Sequence, residues 1–380
     1  MRMIHKFWLL LMPLIVLLMG CSMAAKPVAK KAPTVNRGFN GVTIDVSRHH
    51  YQVSTLVKFI RLVSDHHGNF IQLHLSDDKD FAIENKAAGQ TTRGATKTAG
   101  VWQNKKSHQA FYSRGQIAYL LKDAKQHHIT LIPEIDTPAH VTGLVKTLRA
   151  SGQAKLAKQL SWQSKSYGDE LHLNAASIAF VKRMDREIAS EFANQRIKRF
   201  HLGGDEFTDK LTKNTAYINY LNATSENVEK LGFTPEAWND GFLTNSLKAI
   251  NHDIQVTYWN WTADQSGELG KERKKAWASM PRLIHNSFKV FNYNDYYLYF
   301  NVSKANLKPK SVAYMSKDMK QYWTPMLWHT DHQTKLKTRH GIVGSSASIW
   351  SDAAGRISDQ QIYQASTTFI EDFLKLARKA

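Results

Sequence analysis

The chain has 380 residues, with 51 Lys and Arg against 32 Asp and Glu, a formal charge of +19 at pH 7, and a single cysteine. That length suits one large domain whose core suffices without staples, and one cysteine excludes both a disulfide framework and a cysteine-built metal cluster. The charge points to anionic surroundings such as a cell-wall polymer or lipid head groups. The basic residues are scattered along the chain, which argues against a nucleic-acid partner.

In chain order, Arg2, His5 and Lys6 precede an apolar run from Phe7 to Met19. The run is shorter than the roughly 20 residues a bilayer-spanning helix needs, so it reads as an export signal. It ends in Leu18-Met19-Gly20-Cys21, which resembles the lipobox of bacterial lipoproteins. The expectation is cleavage after residue 20, lipid on Cys21, and a place on the extracytoplasmic face of a bacterial membrane. Loss of Arg2 and Lys6 lowers the +19 by two, to +17, and no thiol remains for a disulfide. Residues 21–36, rich in Ala, Lys and Pro, read as an extended tether, and 37–380 as one domain.

Within that domain, short β-type runs alternate with amphipathic helices. The expected strands are Gly41–Val46, Phe70–Ser76, Ile129–Ile135, Arg199–Leu202, Pro235–Trp238, Ile254–Trp259, Lys289–Asn292 and Ile342–Ile349. Helices are expected over 52–67, from the capping box at Ser113–Gln116, over 177–193, over 240–250, and from the capping box at Ser358–Gln361. Eight such repeats predict an α/β fold, a single-domain (β/α)₈ TIM barrel. The polar segment 86–110 carries no clear element.

Barrel enzymes hold their chemistry where the strands end. Arg48 follows the first strand, Asp77-Asp78 the second, Asp136 and His140 the third, and Asp205-Glu206 the fourth. Trp238-Asn239-Asp240, Trp259-Asn260-Trp261, Tyr293-Asn294-Asp295 and Trp350-Ser351-Asp352 close the others. Acids interleaved with tryptophans suit a sugar site, because charged groups grip hydroxyls while indole faces cover a pyranose ring. Alternation along a strand sends neighbours to opposite sides, so Asp205 and Glu206 can face one cleft only if the chain bends, which Gly203-Gly204 permits. Asp136 and His140 at i, i+4 spacing also suit a metal, but no HExxH or cysteine cluster accompanies them; no metal and no cofactor is expected. No Gly-x-Ser-x-Gly elbow supports serine-hydrolase chemistry.

Taken together and in order, Asp45–His49, His74–Asp78, Ile132–Asp136 with His140, His201–Glu206, Trp238–Asp240 and Ser348–Trp350 resemble the family-20 glycoside hydrolases, the β-N-acetylhexosaminidases. The segments Phe81–Glu84 and Phe291–Tyr299 look most like its single-barrel branch, which cuts β-1,6-linked poly-N-acetylglucosamine of biofilms. The resemblance implies substrate-assisted hydrolysis with retention, an exception to the two-carboxylate scheme. It makes Glu206 the acid and base, Asp205 and Tyr293 the groups that hold the 2-acetamido arm, and His140 with Asp77 a relay behind Glu206. An ionised Asp205 is expected to help keep Glu206 protonated. Trp238, Trp259 and Trp350 are implied as pocket walls, Asp295 as a further sugar contact, and Arg48 as the grip on the terminal hydroxyls.

Where the family has Trp-x-Glu, this chain has Trp350-Ser351-Asp352, one methylene shorter, which leaves preference at the terminal hydroxyl open. The implied partner is a saccharide with β-linked N-acetylglucosamine, cut by a monomer tethered to the membrane through its lipid. A chitobiase-type β-1,4 hexosaminidase and a non-catalytic carbohydrate binder on the same barrel are the alternatives. A two-lobed solute-binding lipoprotein disagrees with eight strands and no mid-chain linker.

Overall fold

A computed structural model describes residues 38–207, 214–263 and 265–379. The export signal, Cys21 and the tether lie outside the described residues. Residues Arg37–Ala380 make one compact unit.

Eight parallel strands form its centre: β1 Gly41–Asp45, β2 Phe70–His74, β3 Thr130–Glu134, β4 Arg199–His201, β5 Thr234–Trp238, β6 Gln255–Tyr258, β7 Val290–Asn292 and β8 Ile342–Trp350. They neighbour one another in chain order, and β8 pairs back onto β1 (Gly41 opposite Ser346), so the sheet closes into a barrel. These are the eight strands expected from sequence, with ends that move by one or two residues.

Strand alternation gives the barrel two separate interiors. Val42, Ile44, Ile71, Leu73 and Leu131 point outward and bury the apolar stripes of the surrounding helices, among them Val53–Asp65, Arg114–Gln126, Ala175–Phe192 and Asp359–Ala377. Both expected capping boxes are present, with Ser113 and Ser358 accepting from the backbone of Gln116 and Gln361. Inside the barrel, Phe70, Ile132, Trp238, Phe291, Tyr293 and Trp350 form a second apolar cluster.

That inner space is also polar. Arg199 hydrogen-bonds Glu236 and Gln255 at the bottom and packs on the rings of Phe39 and Phe291. Above it Glu134, fully buried, accepts from Gln72 Nε2 at 2.7 Å and Trp238 Nε1 at 2.8 Å and meets His74 Nδ1 at 3.0 Å. Ionised groups are tolerated at such depth because each is paired and hydrogen-bonded.

Three expectations change. The seventh strand is split: after Asn292 the chain makes a helical turn, Asp295–Leu298, and returns as Tyr299–Asn301, which pairs with Ser348–Trp350 on the edge of β8 that β7 uses lower down. The helix expected over 240–250 is two short 3₁₀ turns, Asn239–Gly241 and Leu247–Ala249. Asp240 is drawn into the barrel mouth by Trp259 and the Glu206 backbone, and Leu243 bridges to Trp277, so no helix propagates.

The polar segment 86–110 contributes to a small antiparallel sheet of Ala95–Thr98, Val101–Asn104 and Ala110–Phe111. Its tight turn places Ala99 and Gly100 at φ 47° and 88°, the left-handed pair that a two-residue hairpin requires. Among the described residues no helix is long and apolar enough to cross a membrane.

Candidate active site

The acid pair leaves the barrel through an unusual piece of backbone. Gly203, Gly204 and Glu206 all have positive φ (75°, 93° and 46°), and a Cβ on Gly203 would lie 2.2 Å from Asp136 Oδ1. Only glycine allows that close approach. The carboxylate of Asp136 receives Gly204 N at 3.0 Å, and Asp240 Oδ1 receives Glu206 N at 3.1 Å. The bend turns Asp205 and Glu206 toward one cavity of about 180 Å³. Arg48, His74, Trp259, Trp350 and Asp352 line it as well, together with Tyr299 and Asn301 from the second half of the split strand.

Trp350 forms one wall, with the Arg48 guanidinium 5.7 Å from its ring centre. Trp259 and Tyr299 stand nearly parallel, 6.5 Å apart between ring centres. Arg48 is held by three carboxylates, Asp77 Oδ2 at 2.7 Å, Asp45 Oδ2 at 3.1 Å and Asp352 Oδ1 at 3.3 Å. Asp352, the shorter acid, thus still reaches the arginine at the exposed rim.

His140 links the acids. Its Nε2 is 3.4 Å from Glu206 Oε2, while its Nδ1 is 3.3 Å from Asp78 Oδ2 and 4.0 Å from Asp77 Oδ1. The nearer partner is therefore Asp78, and Asp77, expected in that place, is engaged by Arg48 and by His74 Nε2 at 2.8 Å.

Burial works against a charged His140, but the acids around it, Asp78 and Glu206 first, hold its pKa well above the ordinary imidazole value. His74 behaves likewise between Glu134 and Asp77. Burial pushes Glu134 up, yet His74 and His201 outweigh it and bring it down to about 2. The same balance, with His74 and Arg48, depresses Asp77.

The ionisation expected of Asp205 is opposed by its surroundings. Burial first, and the neighbouring acids with it, push its carboxyl above the usual range. Asp136 and Asp240 are driven up by burial and by Asp205. Two triplets, Asp77–Asp78–His140 and Asp136–His140–Asp205, bring donor atoms within 4.8 Å of one another. Both share His140, which contacts Asp78 Oδ2 through Nδ1 and Glu206 Oε2 through Nε2.

Three expected residues stand elsewhere. Tyr293 is fully buried inside the barrel and donates to Gln72 Oε1 at 2.6 Å, so it does not line the cavity. Trp238 lies under the cavity, edge-on to Tyr293 and near Trp350, with its indole N–H on Glu134. Asp295 accepts from Asn260 Nδ2 at 2.7 Å and sits behind the lining. Tyr299, Asn301 and His74 are lining residues that sequence reasoning did not single out. His74 had a visible signal, a histidine three residues before Asp77 at a strand end.

A closed barrel with paired acids and aromatic walls at the strand ends defines a sugar-processing site, and residues 38–369 match the family model described as glycosyl hydrolase family 20, catalytic domain. The chain belongs to that family of glycoside hydrolases. Among solved structures it is similar to dispersin B, with a TM-score of 0.83, 30% identity, and coverage of 89% of this chain and 99% of that one. It is 26% identical over 203 residues to a β-hexosaminidase of Vibrio furnissii, covering 50% of this chain and 31% of that protein. A β-hexosaminidase subunit β of Entamoeba histolytica is 27% identical over 248 residues, covering 58% and 41%. The chain thus spans less than half the length of these two curated relatives.

Proposed function

We propose that this domain hydrolyses β-linked N-acetylglucosamine from the end of a glycan with retention, using the substrate's own acetamido oxygen as nucleophile. The observation that carries this reading is the single cavity onto which Asp205, Glu206, Tyr299, Trp259 and Trp350 all face. In the first half-reaction the acetamido oxygen bonds to C1, the glycosidic C–O bond breaks, and the proton of Glu206 goes to the leaving oxygen. In the second, Glu206 as carboxylate takes a proton from the water that opens the oxazolinium ion. His140, backed by Asp78, sits where its N–H can donate to the carboxylate that Glu206 becomes once its proton has left. Asp205 accepts the acetamido N–H, and positive charge growing on that nitrogen favours its ionised form. The acetamido oxygen falls to Tyr299, in place of Tyr293, and Arg48 with Asp352 takes the terminal hydroxyls.

β-1,6-linked poly-N-acetylglucosamine is the polymer we favour. Its partly deacetylated forms are cationic, which sets them against the net charge of the chain. The cavity mouth, however, carries the solvent-reaching carboxylates Asp78 and Asp352 beside Arg48, and local charge dominates within a Debye length of about 8 Å at physiological salt. Products followed over time from defined β-1,6 and β-1,4 N-acetylglucosamine oligomers test this. Monosaccharide release from the β-1,6 series supports it, faster β-1,4 cleavage makes the enzyme chitobiase-like, and no cleavage of either leaves a carbohydrate binder. We further propose that Cys21 carries the lipid anchor; incorporation of a labelled fatty acid that Cys21→Ala abolishes is the expected result.

A further inference from the structure

The two ends of the barrel differ in charge. The mouth collects the acids already described. At the opposite end, Arg196, Lys198, Lys289 and Arg339 on the segments that lead into the strands, Lys125 in the last turn of the helix Arg114–Gln126 and Lys379 after the helix Asp359–Ala377 are all exposed or half-exposed. Among the described residues none of these six has a carboxylate within ion-pair distance, although Arg339 donates to the carbonyls of Ala377 and Lys379. Asp65, Glu229, Asp253 and Glu371 are exposed or half-exposed acids near the same end, Glu371 beside His66. The face also holds a cavity of about 570 Å³, apolar on the inside through Phe39, Leu121, Ile129 and Ile197, with Lys125, His128 and Arg196 among its other lining residues.

The described chain enters the barrel there. Phe39 N donates to Val343 O at 2.8 Å, and Asn40 Nδ2 reaches Ala377 O at 3.5 Å. Everything that precedes residue 38 is therefore joined to the domain at its cationic end.

We propose that this face docks on an anionic phospholipid surface, its cations on the phosphates and its apolar cavity against the head-group boundary, so that the mouth points away from the bilayer. Unpaired cations suit that partner because contact requires breaking no ion pair, and each Lys or Arg near an anionic surface strengthens binding roughly fivefold. The inference does not depend on which glycan is cut, nor on lipid at Cys21.

Barrel closure and both apolar clusters lie within residues 38–379, so the domain from residue 37 carries its own core. That soluble domain would be sedimented with vesicles of phosphatidylcholine alone, and with vesicles containing phosphatidylglycerol. Binding to the anionic vesicles only, weakening as salt rises, is expected. Lys125→Gln, Arg196→Gln and Lys289→Gln together should weaken it on the order of a hundredfold. The same neutralisation at Lys304, Lys308 and Lys310, exposed residues beyond the strand end at the mouth side, should leave most of it intact.

Equal losses in the two triple variants would overturn the oriented face, and equal binding to neutral vesicles would overturn the electrostatic docking. Full displacement by a soluble glycerol-phosphate polymer at matched phosphate would assign the face to wall polymers and overturn the lipid. Unchanged thermal melts show that the variants are folded; if the triple variant melts early, the single substitutions are read at fivefold each.

Discussion

Removing one hydroxyl from each of two tyrosines separates a pocket role from a structural one. Tyr293 donates to Gln72 at 2.6 Å inside the barrel, and Gln72 in turn donates to Glu134 at 2.7 Å. Tyr293→Phe leaves the Gln72 acceptor buried and unpaired, a cost of about 1–3 kcal/mol. For a domain of this size each kcal/mol lowers Tm by roughly 2–4 °C or less, so the melt should drop by a few degrees while kcat stays near its starting value. Tyr299→Phe removes a hydroxyl from the cavity wall instead. Its melt should hardly move, and kcat on a 2-acetamido glycoside should fall on the order of 10²-fold, as for loss of one preorganised donor at a reacting group. Thermal melting and steady-state kinetics on the two purified variants decide the matter. A silent Tyr299→Phe beside a catalytically crippled but stable Tyr293→Phe would refute this assignment.

Glu206→Gln should lower kcat at least 10²–10⁴-fold in glycoside assays, since it removes the proposed proton donor and base. Asp205→Asn should slow acetamido sugars specifically; equal rates on glucosides that lack the acetamido arm would contradict substrate assistance. Asp136→Asn should raise Tm at neutral pH. Burial and Asp205 lift the folded pKa of Asp136 above its unfolded value, so stability is lost as pH rises between the two, and the amide removes that penalty. Glu134 has the opposite sign, with a folded pKa of about 2 against 4.5, so its contribution is present above pH 4.5 and lost as pH falls toward 2. Acid melts of wild type and Glu134→Gln should therefore converge at low pH. Asp352→Ala should raise KM by less than about tenfold, because the ion pair it makes with Arg48 is solvent-exposed.

Much of this architecture was legible in the sequence because strand and helix periods differ and because barrel chemistry gathers at strand ends. All eight strands and the mouth positions of Arg48, Asp205, Glu206, Trp259, Trp350 and Asp352 could be read that way. Period could not choose between Tyr293 and Tyr299, since the turn Asp295–Leu298 interrupts the strand and breaks the alternation that ranks its tyrosines. Nor could it tell Asp77 from Asp78, adjacent residues sorted by partners distant in the chain, Arg48 for one and His140 for the other. The raised pKa of Asp205 was hidden because burial is its first cause, with adjacent Glu206 and then Glu134 adding to it. The hairpin within 86–110 escaped because its turn pairs alanine with glycine.

The split seventh strand bears on how such an enzyme changes over evolution. Tyr299 and Asn301 lie on a ladder opposite Ser348 and Trp350, and Val302 N then closes on Trp350 O at 2.8 Å. Two walls of the sugar cavity are thus fastened to each other through one run of backbone, with their separation set by strand spacing. On the proposed reading, insertions and deletions in the surrounding loops can reshape access for the rest of a polymer without widening the socket for its last residue. Descendants of this domain should accordingly diverge in which chain they shorten well before they diverge in which sugar they remove.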